Sequence, residues 1–489
     1  MAKKNRVKKK TKKIVLLSIL AVVLIGVATI FIINSTYRYD PTGAAGALAD
    51  GEKGVLTLEY NGADGKPEKE TITYDKAEKL TLPTLTKEGY YFSGWTIGET
   101  YVGLETALTA KTATAKAQFD KDYSALTSAC AVYTDENNYT EYEAGEYDTV
   151  NTEAANVFVD GGYKLTVYSK ANFAGKETKV YYSGKYKGYI GSMKVEQVKS
   201  ESLTVASLSD ETKLELLTTF APRFWWDENE TFYASSIEFA AQNMQKELSP
   251  TGNIYYRDDV TSSNYMQDFL YGDLEHAKAY GFATEKEFKY LDLNYFYYAP
   301  YNLGKTIAGM EFGNHIGDWE HVTVRLLVKK AGGSITLRPV VMDYPAHFMC
   351  NYVAWDEIET VKGTHPVAYI ACGSHGMWKE AGEHIYVDAF IVKLKDFTSQ
   401  GTAWDLWERG NLETYTYDAL KHEGKGIGGS ELNADFGINC FEEGGGVTIW
   451  GNRGWRPPIT IYPRFDSAPS GPQHKQSLND YYTINGIGD

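Results

Sequence analysis

The run FGNHIGDWEHVTVR (residues 312–325) decides how the rest of the chain is read. It holds two histidines (His315, His321), two carboxylates (Asp318, Glu320) and Trp319, and runs into the alternating tail Val322-Thr323-Val324-Arg325. Alternation with a period of two marks a half-buried strand. It predicts that Asp318 and Glu320 share one face while Trp319 and His321 share the other. Gly313 and Gly317 let the chain bend His315 toward either face. Six of the nine histidines fall between positions 315 and 384, so the polar centre of the molecule is expected here.

Around this stretch, 489 residues are too many for one core and suggest about three or four domains. The chain carries 49 basic and 64 acidic residues, a formal net charge of −15. The first thirteen residues hold eight of the positive charges and no negative one, which leaves 41 against 64, or −23, for the remainder. So acidic a body, without a basic stripe, repels phosphate backbones and excludes nucleic acid as a partner. The 38 tyrosines and 46 glycines point to β-rich domains, since aromatic side chains fit a pleated surface. The four cysteines (Cys130, Cys350, Cys372, Cys440) form no C-x-x-C pair, which removes the zinc-ribbon and thioredoxin readings. An oxidising compartment would permit a Cys350–Cys372 bridge, and buried thiols are the alternative.

Residues 1–13 read as a basic cytoplasmic tail and residues 14–33 as a transmembrane helix, because twenty uncharged residues match the bilayer core. The basic flank places the N-terminus in the cytoplasm and the following domains outside, in a single-pass membrane protein. The apolar run is too long for a signal-peptide core, and Ala47-Leu48-Ala49 lies too far beyond it for cleavage, which favours a signal-anchor. Residues 34–50 form a linker. A compact β unit follows at 51–120, another at 121–205, and one large domain at 206–489. Residues 262–287 are expected to form a helical or irregular insertion in the last.

Three resemblances attach to these units. LPTLTKEGYYFSGWTI (residues 82–97), with its Gly-Tyr-x-Phe-x-Gly-Trp pattern, resembles the internalin-type B-repeats of bacterial surface proteins and implies a β-grasp-like spacer. Tyr168, Phe173 and Gly175 have the spacing of the folded hairpin in βγ-crystallin Greek keys, with residues 190–195 as the closing strand. The calcium positions of that family are here occupied by residues 187–192, KGYIGS, without an acid, so a calcium-free key is implied. Finally, Pro222, Glu230 and Tyr233, residues 295–302, 313–322 and 366–375 resemble the family named for vacuolar protein sorting-associated protein 62, over most of 210–460. That resemblance implies a β-sandwich with long loops and names no chemistry. The expected fold class is thus mainly β: transmembrane helix, β-grasp-like repeat, crystallin-like Greek-key domain and large β-sandwich-like C-terminal domain.

Chemistry would centre on His315, Asp318, Glu320 and His375, mixed N/O ligands suited to a divalent metal such as zinc, manganese or iron. Their spacing matches no named metal motif, and a buried polar network or metal-free acid/base catalysis fits the same residues. Ser374-His375 would supply a nucleophile and base, yet strand neighbours point apart and the G-x-S-x-G elbow is missing. Trp319, His321, Trp378, Trp450 and Trp455 form the expected ligand-binding set, able to stack on a cell-surface glycan or meet a protein; ordinary core packing is the alternative. Two functions stay open: a membrane-anchored, extracytoplasmic, non-catalytic surface binding protein, or an extracytoplasmic metal-dependent hydrolase built on the His315/Asp318/Glu320/His375 cluster.

Overall fold

Asp318 lies in a 17-residue strand, His315–Ala331, in the computed structural model of the protein. The structure describes residues 46, 48–98, 100–123, 125–181, 186–248, 254–257, 268–286, 289–307, 310–312, 314–347, 349–389, 392–431, 448–450, 471–472 and 475–479. The long strand pairs antiparallel with the 13-residue strand Tyr290–Asn302, so that Tyr297 stands opposite Glu320 and Ala299 opposite Asp318. These two are the middle of an eight-stranded sheet. Its path runs Leu203–Val205, Ser334–Asp343, His315–Ala331, Tyr290–Asn302, Ala279–Lys286, Leu412–Asp418 and Glu423–Ile427, with Tyr352–Ala354 also pairing with Ser334–Asp343.

A five-stranded sheet lies against one face of the large one. It is made of Thr360–Val361, His365–Ile370, Arg223–Trp226 and Thr402–Asp405, with Met377–Trp378 beside His365–Ile370. Phe224, Trp226, Ala368 and Ile370 of this sheet join one apolar core with Leu293, Tyr295, Tyr297, Val322 and Val324 of the large sheet. The opposite face is covered too. There Phe296, Tyr298 and Trp319 pack with Ile237, Ala240, Phe269, Leu270 and Leu478. The strand is therefore buried on both faces, and residues 316–328 are buried apart from Glu320. The reading of residues 262–287 as a helical or irregular insertion is corrected in its second half: short 3-10 turns at Asp268–Tyr271 and Leu274–His276 give way to the strand Ala279–Lys286. Its alternate side chains Tyr280 and Phe282 enter the second core, where pairing with Tyr290–Asn302 and aromatic burial outweigh local helix preference.

The two smaller units are also sheets. In the first, Lys53–Glu59 pairs antiparallel with Lys69–Asp75 and parallel with Thr112–Lys121, around a core containing Leu56, Tyr74 and Trp95. In the second, Gly145–Tyr147, Ser192–Gln197, Tyr163–Lys170 and Ala174–Tyr181 form a four-stranded sheet over Val157, Ile190 and Met193. Its hairpin turns at Asn172 and Phe173, both at positive φ, and Ser192 Oγ donates to Lys170 O at 2.7 Å while accepting from Phe173 N at 2.8 Å. This unit is fastened to the large domain: Lys164 meets Asp356 at 3.1 Å and Glu357 at 3.2 Å, and Lys179 and the Tyr181 hydroxyl both reach Glu357.

The membrane expectation is corrected. Among the described residues no helix is long and apolar enough to cross a membrane; Asp210–Thr219, the longest of them, has ten residues where a span needs about 20. The described apolar residues are spread over many strands and buried between layers. The expected helix at 14–33 lies outside the described residues. With no such helix among the described residues, the single-pass anchor, the signal-anchor and the cell-surface, extracellular placement drawn from them are not supported. Cys130, Cys350 and Cys372 are free thiols, so the Cys350–Cys372 bridge is not formed.

Candidate functional site

The polar centre is assembled by the loop that follows the strand His365–Ile370. The chain turns at Gly373 (φ 70°) and His375 (φ 57°), and His375 N donates to Ala371 O at 2.9 Å. A non-glycine residue in the left-handed region is held there by its surroundings. This turn drives the imidazole between the two large layers, where it is fully buried. Its Nδ1 lies 2.9 Å from Asp318 Oδ2 and its Nε2 3.0 Å from Phe232 O. Glu230 Oε2 stands 3.7 Å from the same Nε2. Both ring nitrogens thus face acceptors, which favours the doubly protonated imidazolium. Burial by itself would depress the His375 pKa, but the Asp318 hydrogen bond and the charges of Glu230 and Asp318 outweigh it and raise the pKa above its ordinary value. The counterpart holds for Asp318: burial pushes its carboxyl up, while His375, His315 and Asn302 bring the balance below the ordinary carboxylate value.

The remaining polar atoms are also engaged. Asn302 Nδ2 donates to Asp318 Oδ2 at 3.0 Å and to Ser374 O at 3.3 Å, and its Oδ1 accepts from Gly304 N at 2.8 Å. Glu230 accepts the Thr231 and Phe232 amides at 2.8 Å and the Gly373 amide at 2.6 Å. Tyr297 donates to His375 O at 3.1 Å, and the Trp226 ring meets the imidazole edge to face at 5.7 Å. One carboxylate–histidine pair therefore ties the loops at 228–233 and 371–376 to the central strands. Chemically it is an internal ion pair, with both imidazole nitrogens already committed.

A second network shares the same turn. Ser374 points away from His375, and its Oγ donates to Asp396 Oδ1 at 2.7 Å. Buried Asp396 also receives Trp378 Nε1 at 3.0 Å, His347 Nε2 at 2.9 Å and Lys305 Nζ at 3.0 Å. Burial alone would raise the Asp396 pKa; the His347 and Lys305 charges and the Ser374 hydroxyl hold it far below the usual carboxylate range. Here the carboxylate sits between the serine and the histidine. A nucleophile needs its base within hydrogen-bond reach, and in this order the imidazole is bonded to Asp396 and not to the hydroxyl.

Among the residues expected to bind metal, the structure brings His375 onto Asp318. His315 lies 3.9 Å from Asp318 Oδ1 through Nε2, and its Nδ1 is bonded to Gly317 O at 2.8 Å. Glu320 stands opposite Tyr297 and is half-buried. No group of three or more His, Cys, Asp or Glu side chains is placed to hold a metal ion among the described residues. Of the expected ligand-binding residues, Trp319 is buried against Tyr280 and Tyr298, and His321 is buried and stacked on Phe296 at 4.6 Å. Both belong to the core. Burial, with the nearby charge of Lys475, depresses His321 well below the usual histidine pKa. Trp378 is half-buried and stacks on His384 at 4.2 Å. The Trp450 side chain and all of Trp455 lie outside the described residues.

Sequence reasoning passed over Asp396 and Lys305, which no motif links, and counted His347 only among the clustered histidines. Glu230 and Asn302 stood only inside family-like segments, and nothing in their spacing tied them to His375.

The fold and this centre define a mainly β domain whose buried polar centre is an internal clasp. Residues 187–395 match the family described as "Vacuolar protein sorting-associated protein 62", so the C-terminal region carries a domain of that family. The Saccharomyces cerevisiae protein of that name is 28% identical over 201 residues, covering 38% of this chain and 40% of that protein. A second protein of that yeast, vacuolar protein sorting-associated protein TDA6, is 26% identical over 209 residues, covering 39% of this chain and 41% of that protein. The similarity thus spans about two fifths of these relatives' length. The structure titled "Toxin fold for microbial attack and plant defense" overlaps 42% of this chain and 74% of its own at 14% identity, with a TM-score of 0.25. For "NLPPya in complex with mannosamine" the figures are 46%, 85%, 12% and 0.23. Overlaps this loose define neither a shared fold nor a shared ligand.

Proposed function

We propose that this chain is a non-catalytic binding protein, in which the domain at 206–489 is the recognition unit and the modules at 51–120 and 121–205 space it. The observation that carries this reading is the state of His375: fully buried, with both ring nitrogens bonded to protein acceptors, it has no lone pair to offer a metal or a substrate. The sequence patterns of residues 82–97 and 168–195 support a B-repeat-like spacer and a calcium-free crystallin-like key. The names of the two yeast relatives attach the family to vacuolar protein sorting, a role that fits recognition better than substrate turnover.

The test is metal analysis of the purified full chain with and without chelation. The expected result is substoichiometric zinc, manganese and iron, and a melting temperature that EDTA does not change. Stoichiometric metal whose removal lowers the melting temperature, and whose loss Asp318→Asn reproduces, would refute the reading in favour of a metal-dependent hydrolase on the His315/Asp318/Glu320/His375 cluster.

A further inference from the structure

A groove of about 480 Å³ opens where the second module joins the large sheet. The chain leaves the strand Ser192–Gln197, crosses the sheet edge, and then pairs as Leu203–Val205 with Ser334–Asp343. The floor comes from two cross-strand pairs, Leu327 opposite Arg338 and Lys329 opposite Thr336. Directly opposed residues project from the same face of a sheet, so these four side chains rise together. Lys199, Ser200 and Ser202 form the wall, and Arg338 Nη1 donates to Val198 O at 2.6 Å, which holds that wall in place.

The groove's charge is unusual for this molecule. In a chain of net charge −15, three cations line one cavity, and among the described residues none of their side chains has a carboxylate within ion-pair distance. The flanking carboxylates Glu196 and Glu201 are exposed and do not line it. Asp356 accepts the Lys199 backbone amide at 3.2 Å, but its charge is taken up by Lys164 at 3.1 Å. Ser200 Oγ, a buried hydroxyl on the wall, has no hydrogen-bond partner among the described residues. Clustered like charges repel, and a bound anion would offset that cost. The volume falls in the range of about 300–1,000 Å³ typical of small-molecule sites.

We propose that this groove binds a small oxyanion ester, a phosphorylated or sulfated molecule of about the size of a sugar. Lys199, Lys329 and Arg338 take the anionic group, Ser200, Ser202 and Thr336 bond its hydroxyls, and Leu327 supports an apolar edge. Arginine suits this role because its planar fork can bond two oxyanion oxygens while one nitrogen remains on Val198. The site is separate from the His375 centre and does not depend on how that centre is read.

Calorimetric titration of the full chain at low ionic strength tests it, with inorganic phosphate, glucose 6-phosphate and neutral glucose as probes. Both anions should bind saturably, glucose 6-phosphate the tighter, with affinity falling as salt rises; glucose should not bind. Lys199→Gln with Lys329→Gln should weaken both anions by about tenfold or more, as loss of charged hydrogen bonds predicts. Both lysines are exposed, so the melting temperature should not move, and Lys199→Arg with Lys329→Arg should retain binding. Absence of saturable anion binding, equal binding of glucose, or unchanged affinity in the double glutamine variant would each overturn the assignment.

Discussion

Replacing Asp318 by asparagine keeps the shape of the side chain and removes the charge that His375 is built around. In the native protein Asp318 Oδ2 receives His375 Nδ1 at 2.9 Å and Asn302 Nδ2 at 3.0 Å, all three residues being buried. Removing one member of such a pair leaves the other charge uncompensated, at a cost of about 3–5 kcal/mol. For a domain of this size that lowers the melting temperature by about 6–15 °C. The loss should depend on pH with a defined sign. His375 has its folded pKa raised above 6.5, so its contribution is complete below that value and fades as pH rises through the folded pKa. Asp318 has its folded pKa lowered from 3.8, so its contribution is complete above that value and fades as pH falls through the folded pKa. The difference between wild type and Asp318→Asn should therefore be largest between about pH 4 and 6.5 and shrink on the alkaline side. Urea unfolding at several pH values measures it. A difference below about 0.5 kcal/mol at pH 6, or one that grows steadily toward pH 9, would refute the ion-pair account.

Two further perturbations probe neighbouring polar structure. Asp396→Asn should cost about 3–5 kcal/mol near neutrality, because Lys305 and His347 lose a buried counter-charge; since the folded Asp396 pKa is depressed, that difference should be lost as pH falls through it, below about 4, which thermal melts across an acid series will show. Arg325 is joined to Asp292 by two bonds of 2.6 and 2.7 Å, both side chains fully buried, and lies over the Tyr290 ring at 4.7 Å. Arg325→Met should cost about 3–5 kcal/mol in urea unfolding, and Arg325→Lys should recover only part of it, since lysine keeps the charge and loses the fork.

Local sequence determined much of the central architecture. The two-residue period from Asp318 to Arg325 was enough to place a strand and to assign Asp318 and Glu320 to one face and Trp319 and His321 to the other, because pleating alone sets that alternation. The family-like segments at 222–233, 295–302 and 366–375 marked the C-terminal domain, whose family match spans 187–395. Burial was another matter. Alternation was read as a half-buried strand, with Trp319 and His321 open to a ligand, yet the face they occupy is covered by Ile237, Phe269, Leu270 and Leu478, which arrive from distant parts of the chain. What covers a sheet is a property of topology and leaves no mark on the strand itself. The span read from composition at 14–33 lies outside the described residues, among which the helices are short and the apolar residues lie between sheets. The meeting of Asp318 with His375 and Glu230 likewise depended on folding, for they are separated by 57 and 88 positions and come together only when a loop of the small sheet turns at Gly373 and His375 into the space between two layers. Periodicity is local and can be read from a sequence; which buried charge finds which partner is decided by the packing of layers, and that is where this protein's polar centre is made.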